Sequence, residues 1–111
     1  MAIARALASE PQILLLDEPF SAVDALSRAN LQDLLLRIWQ SHALTIVFVT
    51  HDIDEALYLS DRVLVLEPNG GGLQMDADVP LPRPRHQIET RRAPAFVEMR
   101  SDILKRVLAP N

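Results

Sequence analysis

Two short stretches of the chain combine an apolar run with groups that can do chemistry. Ile13-Leu14-Leu15-Leu16 runs directly into Asp17-Glu18-Pro19, and Thr45-Ile46-Val47-Phe48-Val49 runs directly into Thr50-His51-Asp52. Carboxylates bind hard cations and accept protons, and an imidazole can do acid–base work near neutral pH. Such groups at the ends of two apolar strands converge on one edge of a sheet. Taken singly, an acidic strand end is more often just solvated, and a lone histidine more often structural. The shared setting is what lifts Asp17, Glu18 and His51 above that background. His42 and His86 have no such setting and are read as structural or solvated residues.

These groups need elements that hold them. The prolines at positions 11 and 19 bound the first apolar run and favour a buried strand over a helix. Asp24 is a good helix N-cap, and Leu26, Leu31, Leu34, Leu35, Ile38 and Trp39 then recur at helical spacing to about Ser41. Thr45–Val49 is rich in β-branched residues and predicts a second buried strand. Asp52 with Glu55 three residues later predicts a capped helix through Leu59. Val63–Leu66 predicts a third strand, Pro68–Gly72 a turn, and Leu73–Val79 a further strand paired with the third as a hairpin. Ala2–Ala8 reads as the end of a helix. The alternation of unbroken apolar strands with helices predicts an α/β fold with a parallel sheet covered on both faces. In such sheets functional groups collect beyond the carboxyl ends of the strands, where Asp17, Glu18 and His51 stand.

Composition excludes several classes. The chain has 111 residues, 49% hydrophobic and 23% charged, so it is not a disordered tail. It has no cysteine, which removes disulfides and thiolate metal sites. No apolar run reaches the ~18–20 residues of a membrane span. All 3 glycines sit together at positions 70–72 and the only lysine is Lys105, so no glycine-rich phosphate loop ending in Gly-Lys-Ser/Thr occurs in this sequence. The net charge of -4 is unevenly spread. Acids dominate residues 1–82, whereas Arg83, Arg85, Arg91, Arg92, Arg100, Lys105 and Arg106 make the remainder basic. With Phe96 as the only aromatic among them, this tail is expected to be a solvated segment rather than a nucleic-acid platform. Pro80, Pro82 and Pro84 predict an extended connector to about Arg92, and Pro94 opens a final amphipathic helix.

Ile13–Pro19 closely resembles the Walker B segment of ATP-binding cassette (ABC) ATPases. Phe20-Ser21-Ala22-Val23-Asp24 resembles their D-loop, Val49-Thr50-His51-Asp52 their histidine switch, and Met1–Leu7 the helix that follows their signature motif. Asp52–Leu57 and Asp61–Leu66 look like importer-type cassettes, and 76–92 resembles the nitrate, sulfonate and taurine group. The resemblance implies the C-terminal part of a P-loop NTPase fold. A partial nucleotide-binding domain is expected over residues 1–79, without Walker A or signature, and a basic connector and helix over residues 80–111. It assigns Glu18 and His51 as catalytic, Asp17 to Mg²⁺ through water, and Asp17, Ser21 and Asp24 to nucleotide contacts or coupling. ATP and Mg²⁺ are the implied cofactors of the complete cassette.

By the same resemblance the chain is expected to be a fragment of the ATP-hydrolysing subunit of an importer for a small anion. Its implied partners are a second ATPase subunit, an integral-membrane permease and, indirectly, a periplasmic or surface solute-binding protein. The implied location is cytoplasmic, on the inner face of the cell membrane, with no nucleic-acid partner. Two other readings stand beside it: a truncated, non-catalytic cassette serving as an interaction module, which shares every residue with the first, and a nucleic-acid-linked ABC ATPase, which wants long coiled-coil or zinc-bearing insertions not found in this sequence. Without a phosphate loop, the 111 residues by themselves are expected neither to hold ATP tightly nor to hydrolyse it, and to expose apolar strand surface.

Overall fold

The computed structural model describes residues 13–108, so the predicted helix over Ala2–Ala8 lies outside the described residues. The chain divides into two compact units, Met1–His51 and Asp52–Asn111.

In the first unit, strand β1 (Ile13–Asp17), helix α1 (Ala25–His42) and strand β2 (Thr45–Val49) follow in order. The strands pair in parallel, with Ile13 opposite Thr45 and Asp17 opposite Val49. Helix α1 starts where the sequence places it. Asp24 is extended, and its carboxylate accepts from the Ser27 N–H at 2.9 Å, satisfying one of the orphan donors of the first turn. The helix ends at Ala43, which takes the left-handed conformation with φ 48°, a position usually given to glycine. His42 closes the same end, its Nδ1 lying 3.1 Å from the Ile38 carbonyl.

Leu14, Leu16, Phe20, Gln32, Leu35 and Leu44 are buried in this unit. The opposite side of the strand pair is not covered by the described residues. Ile13, Leu15, Val47 and Val49 are all exposed, Leu15 at 71%. The expectation of a sheet covered on both faces therefore holds for one face only. The sequence is apolar on both sides of each strand, as parallel strands are when both faces are to be packed.

The second unit opens with helix α2 (Ile53–Leu59), whose N-cap Asp52 accepts from the Glu55 N–H at 3.2 Å. Strands β3 (Arg62–Leu66) and β4 (Leu73–Asp78) follow as an antiparallel hairpin. Its turn is closed by the Glu67 N–H donating to the Gly72 carbonyl at 2.8 Å, with Gly70 and Gly72 at φ 75° and 104°, values that glycine adopts without a Cβ penalty. Arg62 spans the strands to Asp76 in a two-pronged contact at 2.8 and 2.6 Å. Among the described residues β3 pairs only with β4 and not with the parallel strands. A connection this short can return a strand only antiparallel.

The proline-rich segment after β4 is not a solvated connector. Helix α2 ends with four backbone carbonyls that its own turns cannot satisfy. The Ser60 N–H takes that of Ala56 at 3.1 Å, and Arg83 takes that of Leu59 at 3.0 Å. Arg85 takes those of Leu57 and Tyr58, both at 2.9 Å. The Arg85 guanidinium, buried, also donates to the carbonyls of Ser60, Leu81 and Pro82 and lies 3.9 Å from Asp61. Its burial lowers its pKa from the ordinary arginine value. Arg83 in turn holds Asp61 at 2.8 Å. Positive charge at a helix carboxyl end also complements the helix dipole.

Replacing Arg85 by Ala should therefore cost about 3 kcal/mol, because buried carbonyls are left without donors. Lysine should not restore the loss, since one ammonium cannot reproduce the planar three-nitrogen fork. Urea unfolding of the two variants beside the parent measures this, and an unchanged midpoint would refute it.

Helices α3 (Glu89–Arg92) and α4 (Pro94–Leu108) complete the unit. The connector predicted to run to Arg92 thus already contains a helical turn. Helix α4 packs on α2 and α3 through part of its apolar face. Phe96, Met99 and Ile103 are buried, while Val97, Leu104, Val107 and Leu108 remain exposed. Arg91 lies over the Tyr58 ring at 4.9 Å, and Arg100 pairs with Asp54 at 3.3 Å. Much of the basic tail is thus engaged inside its own unit. No helix among the described residues is long and apolar enough to cross a membrane.

Candidate active site

The parallel register brings the two chemical strand ends side by side. Asp17 stands opposite Val49, and the ladder continues one bond further, with the Glu18 N–H donating to the Val49 carbonyl at 2.7 Å. At Glu18 the backbone turns sharply into the left-handed region, with φ 47°. For a residue with a Cβ this conformation costs on the order of 1 kcal/mol, and it persists only where the surroundings hold it. The turn separates Glu18 from the strand direction and leaves its carboxylate beside His51.

Glu18 Oε1 and His51 Nδ1 are hydrogen-bonded. An ionised carboxylate can only accept, so Nδ1 carries the proton. The remaining nitrogen, Nε2, belongs to an imidazole that is 91% exposed and stays available to a ligand, whereas the Glu18 side chain is 32% exposed. A carboxylate and an imidazole in contact, one sheltered and one open, can position a water and receive its proton.

The other predicted residues are placed as follows. Asp17 lies on the exposed face of the strand pair, in line with Ile13 and Leu15. Ser21 turns back on Glu18, with its hydroxyl 3.2 Å and its N–H 3.4 Å from the Glu18 carbonyl. Asp24 caps α1, and its carboxylate receives both the N–H and the hydroxyl of Ser27. The Ser27 backbone N–H, then its hydroxyl, hold the Asp24 carboxyl below the usual carboxylate range. That contribution to the cap is present above the ordinary carboxylate pKa and is lost as pH falls through the lowered value. The loop between strand and helix is further tied by Arg28, which donates to the Val23 carbonyl at 3.0 Å. The structure thus gathers Glu18, His51 and Ser21 around one point, and turns Asp24 toward its own helix. Two features escaped sequence reasoning: the left-handed backbone of Glu18 and the grip of Ser21 on its carbonyl. Neither leaves a compositional trace, because the usual marker of positive φ, glycine, is absent from the segment.

Among the described residues no group of three or more His, Cys, Asp or Glu could form a metal cage. Mg²⁺ does not need one; it is held by one or two carboxylates, with water and substrate phosphates completing the shell. The hard oxygen donors of Asp17 fit that demand. The only lysine in the sequence, Lys105, is on α4 and the glycines form the hairpin turn, so neither residue type stands in the segments that carry Asp17, Glu18 and His51.

The fold matches a solved structure. Over 97% of this chain and 37% of the other, with a TM-score of 0.65 and 25% identity, it superposes on cbiO1 from Clostridium perfringens, part of the ABC transporter complex cbiONQ. The fold is that of the ABC ATPases, a P-loop NTPase architecture. No family model matches the chain. Individual relatives do. The aliphatic sulfonates import ATP-binding protein SsuB 2 of Pseudomonas syringae pv. tomato is 53% identical over 104 residues, spanning 94% of this chain and 43% of that protein. The bicarbonate transport ATP-binding protein CmpC and the nitrate import ATP-binding protein NrtC, both of Synechocystis sp., are 50% and 48% identical over 106 and 105 residues. Each match covers 94% of this chain and 16% of the relative. The chain is a homologue of the ATP-binding subunits of ABC importers, and it spans less than half the length of these relatives.

Proposed function

We propose that the chain forms the part of an importer's ATP-hydrolysing subunit that activates water and senses the terminal phosphate. The observation that carries this reading is the Glu18–His51 hydrogen bond at the ends of two neighbouring parallel strands. Glu18 acts as general base, its carboxylate accepting a proton from the attacking water. His51 holds that carboxylate through Nδ1 and turns Nε2 toward the terminal phosphate. Asp17 would hold Mg²⁺ through water, and the metal when bound would neutralise charge on the phosphates. Ser21 and Asp24 shape the loop between the strand and α1, by which one cassette meets its neighbour.

The transported solute is a small anion such as nitrate, a sulfonate or taurine. The sulfonate, nitrate and bicarbonate importers among the relatives support that chemical class. The subunit works as a dimer of cassettes on a membrane permease, at the cytoplasmic face, with a solute-binding protein on the far side. ATP-driven uptake belongs to that assembly and not to these residues alone.

A hybrid subunit tests the proposal. Residues 1–111 replace the matching segment of the SsuB 2 subunit, and the product is reconstituted with its permease in liposomes. ATP hydrolysis and sulfonate uptake together are the expected result. A folded, dimeric hybrid that binds ATP but never hydrolyses it would refute the proposal.

A further inference from the structure

Glu18 is held in its left-handed conformation from both sides. Its N–H donates to the Val49 carbonyl at 2.7 Å, while its own carbonyl accepts from the Ser21 hydroxyl at 3.2 Å and from the Ser21 N–H at 3.4 Å. The first bond extends the strand ladder and could be made by any residue except proline. The shorter of the other two needs a hydroxyl at position 21. A side chain on a residue with positive φ takes its direction from that backbone. If the carbonyl is released, the residue can relax toward the ordinary basins, and its Cβ and carboxylate swing away from His51.

We propose that Ser21 is a positioning residue for hydrolysis: by pinning the Glu18 carbonyl, its hydroxyl keeps the Glu18 carboxylate aimed at His51 Nδ1. This rests on the reading of Glu18 as the general base. Ser21 itself touches neither water nor nucleotide in this role. The Ser21 hydroxyl is on the surface, so its removal opens no cavity and buries no unpaired group.

The test uses the hybrid subunit with its permease. Ser21→Ala should lower kcat about five- to ten-fold, the worth of one aligning hydrogen bond, with KM for ATP unchanged. Ser21→Thr, which keeps the hydroxyl, should retain most of the parent rate. In a Glu18→Gln background, Ser21→Ala should add nothing, because the group it positions has gone. The ¹⁵N signals of His51 give a reading independent of turnover. Ser21→Ala should shift the ring from the Nδ1–H tautomer toward the Nε2–H form as the carboxylate loosens. A Ser21→Ala effect that falls on KM, or that persists undiminished in the Glu18→Gln background, would overturn the proposal. Failure of the underlying reading shows separately, as normal turnover in Glu18→Gln alone. In that case the His51 signals still decide whether Ser21 governs the Glu18–His51 contact.

Discussion

Glu18→Gln in the hybrid cassette should lower ATP turnover by about 10²- to 10⁴-fold, the usual worth of a general base, while ATP capture persists. The exchange preserves size, and the Gln carbonyl oxygen can still accept from His51 Nδ1, so the strand ends should stay in register. Only the ability to take a proton is lost. Backbone strain should not change either, since Gln meets the same penalty at φ 47° as Glu does. The consequence of binding without turnover is a trapped, nucleotide-bound dimer. Single-turnover hydrolysis and size-exclusion chromatography in Mg-ATP measure both halves of this expectation. Near-normal turnover would remove Glu18 from the role of base, whatever the ATP affinity.

His51→Ala should reduce turnover by about 10²-fold with almost no effect on folding. An imidazole that is 91% exposed contributes little packing, and surface substitutions of this kind usually stay within about 0.5 kcal/mol. What is lost is the donor that fixes the Glu18 carboxylate and the exposed Nε2 that the proposed function assigns to the terminal phosphate. The measurement is the ATPase rate per folded molecule beside a thermal unfolding curve. A sharp drop in thermal midpoint with an unchanged rate would make His51 a structural residue. The His51 and Glu18 effects should also be far from additive, because once Glu18→Gln has removed the base, losing the imidazole that holds it can cost little more.

Much of this architecture was legible one segment at a time. The apolar runs at Ile13–Leu16 and Thr45–Val49, the caps at Asp24 and Asp52, the hairpin over Val63–Val79 and the helix opening at Pro94 all depend on contacts within a few residues. So did the candidate site, because an acid pair and a histidine at the ends of successive parallel strands must fall on one edge of a sheet. Local sequence therefore determined these elements, their order and the chemical groups at their ends, but not the helical turn at Glu89–Arg92.

Other features were decided by partners far along the chain. Arg83 and Arg85 looked like part of a solvated basic tail, yet they close the carboxyl end of a helix more than twenty residues earlier, and no local pattern announces which carbonyls an arginine will find. The apolar face of the last helix was visible, but its division into a buried part at Phe96, Met99 and Ile103 and an exposed part was not, since that depends on how much of α2 and α3 it meets. Glu18 is the sharpest case. Its residue type announced a base, but the direction of its carboxylate comes from a left-handed backbone that its own propensity opposes. That conformation survives because Val49 and Ser21 hold its two sides, and only the tertiary structure brings Val49 there.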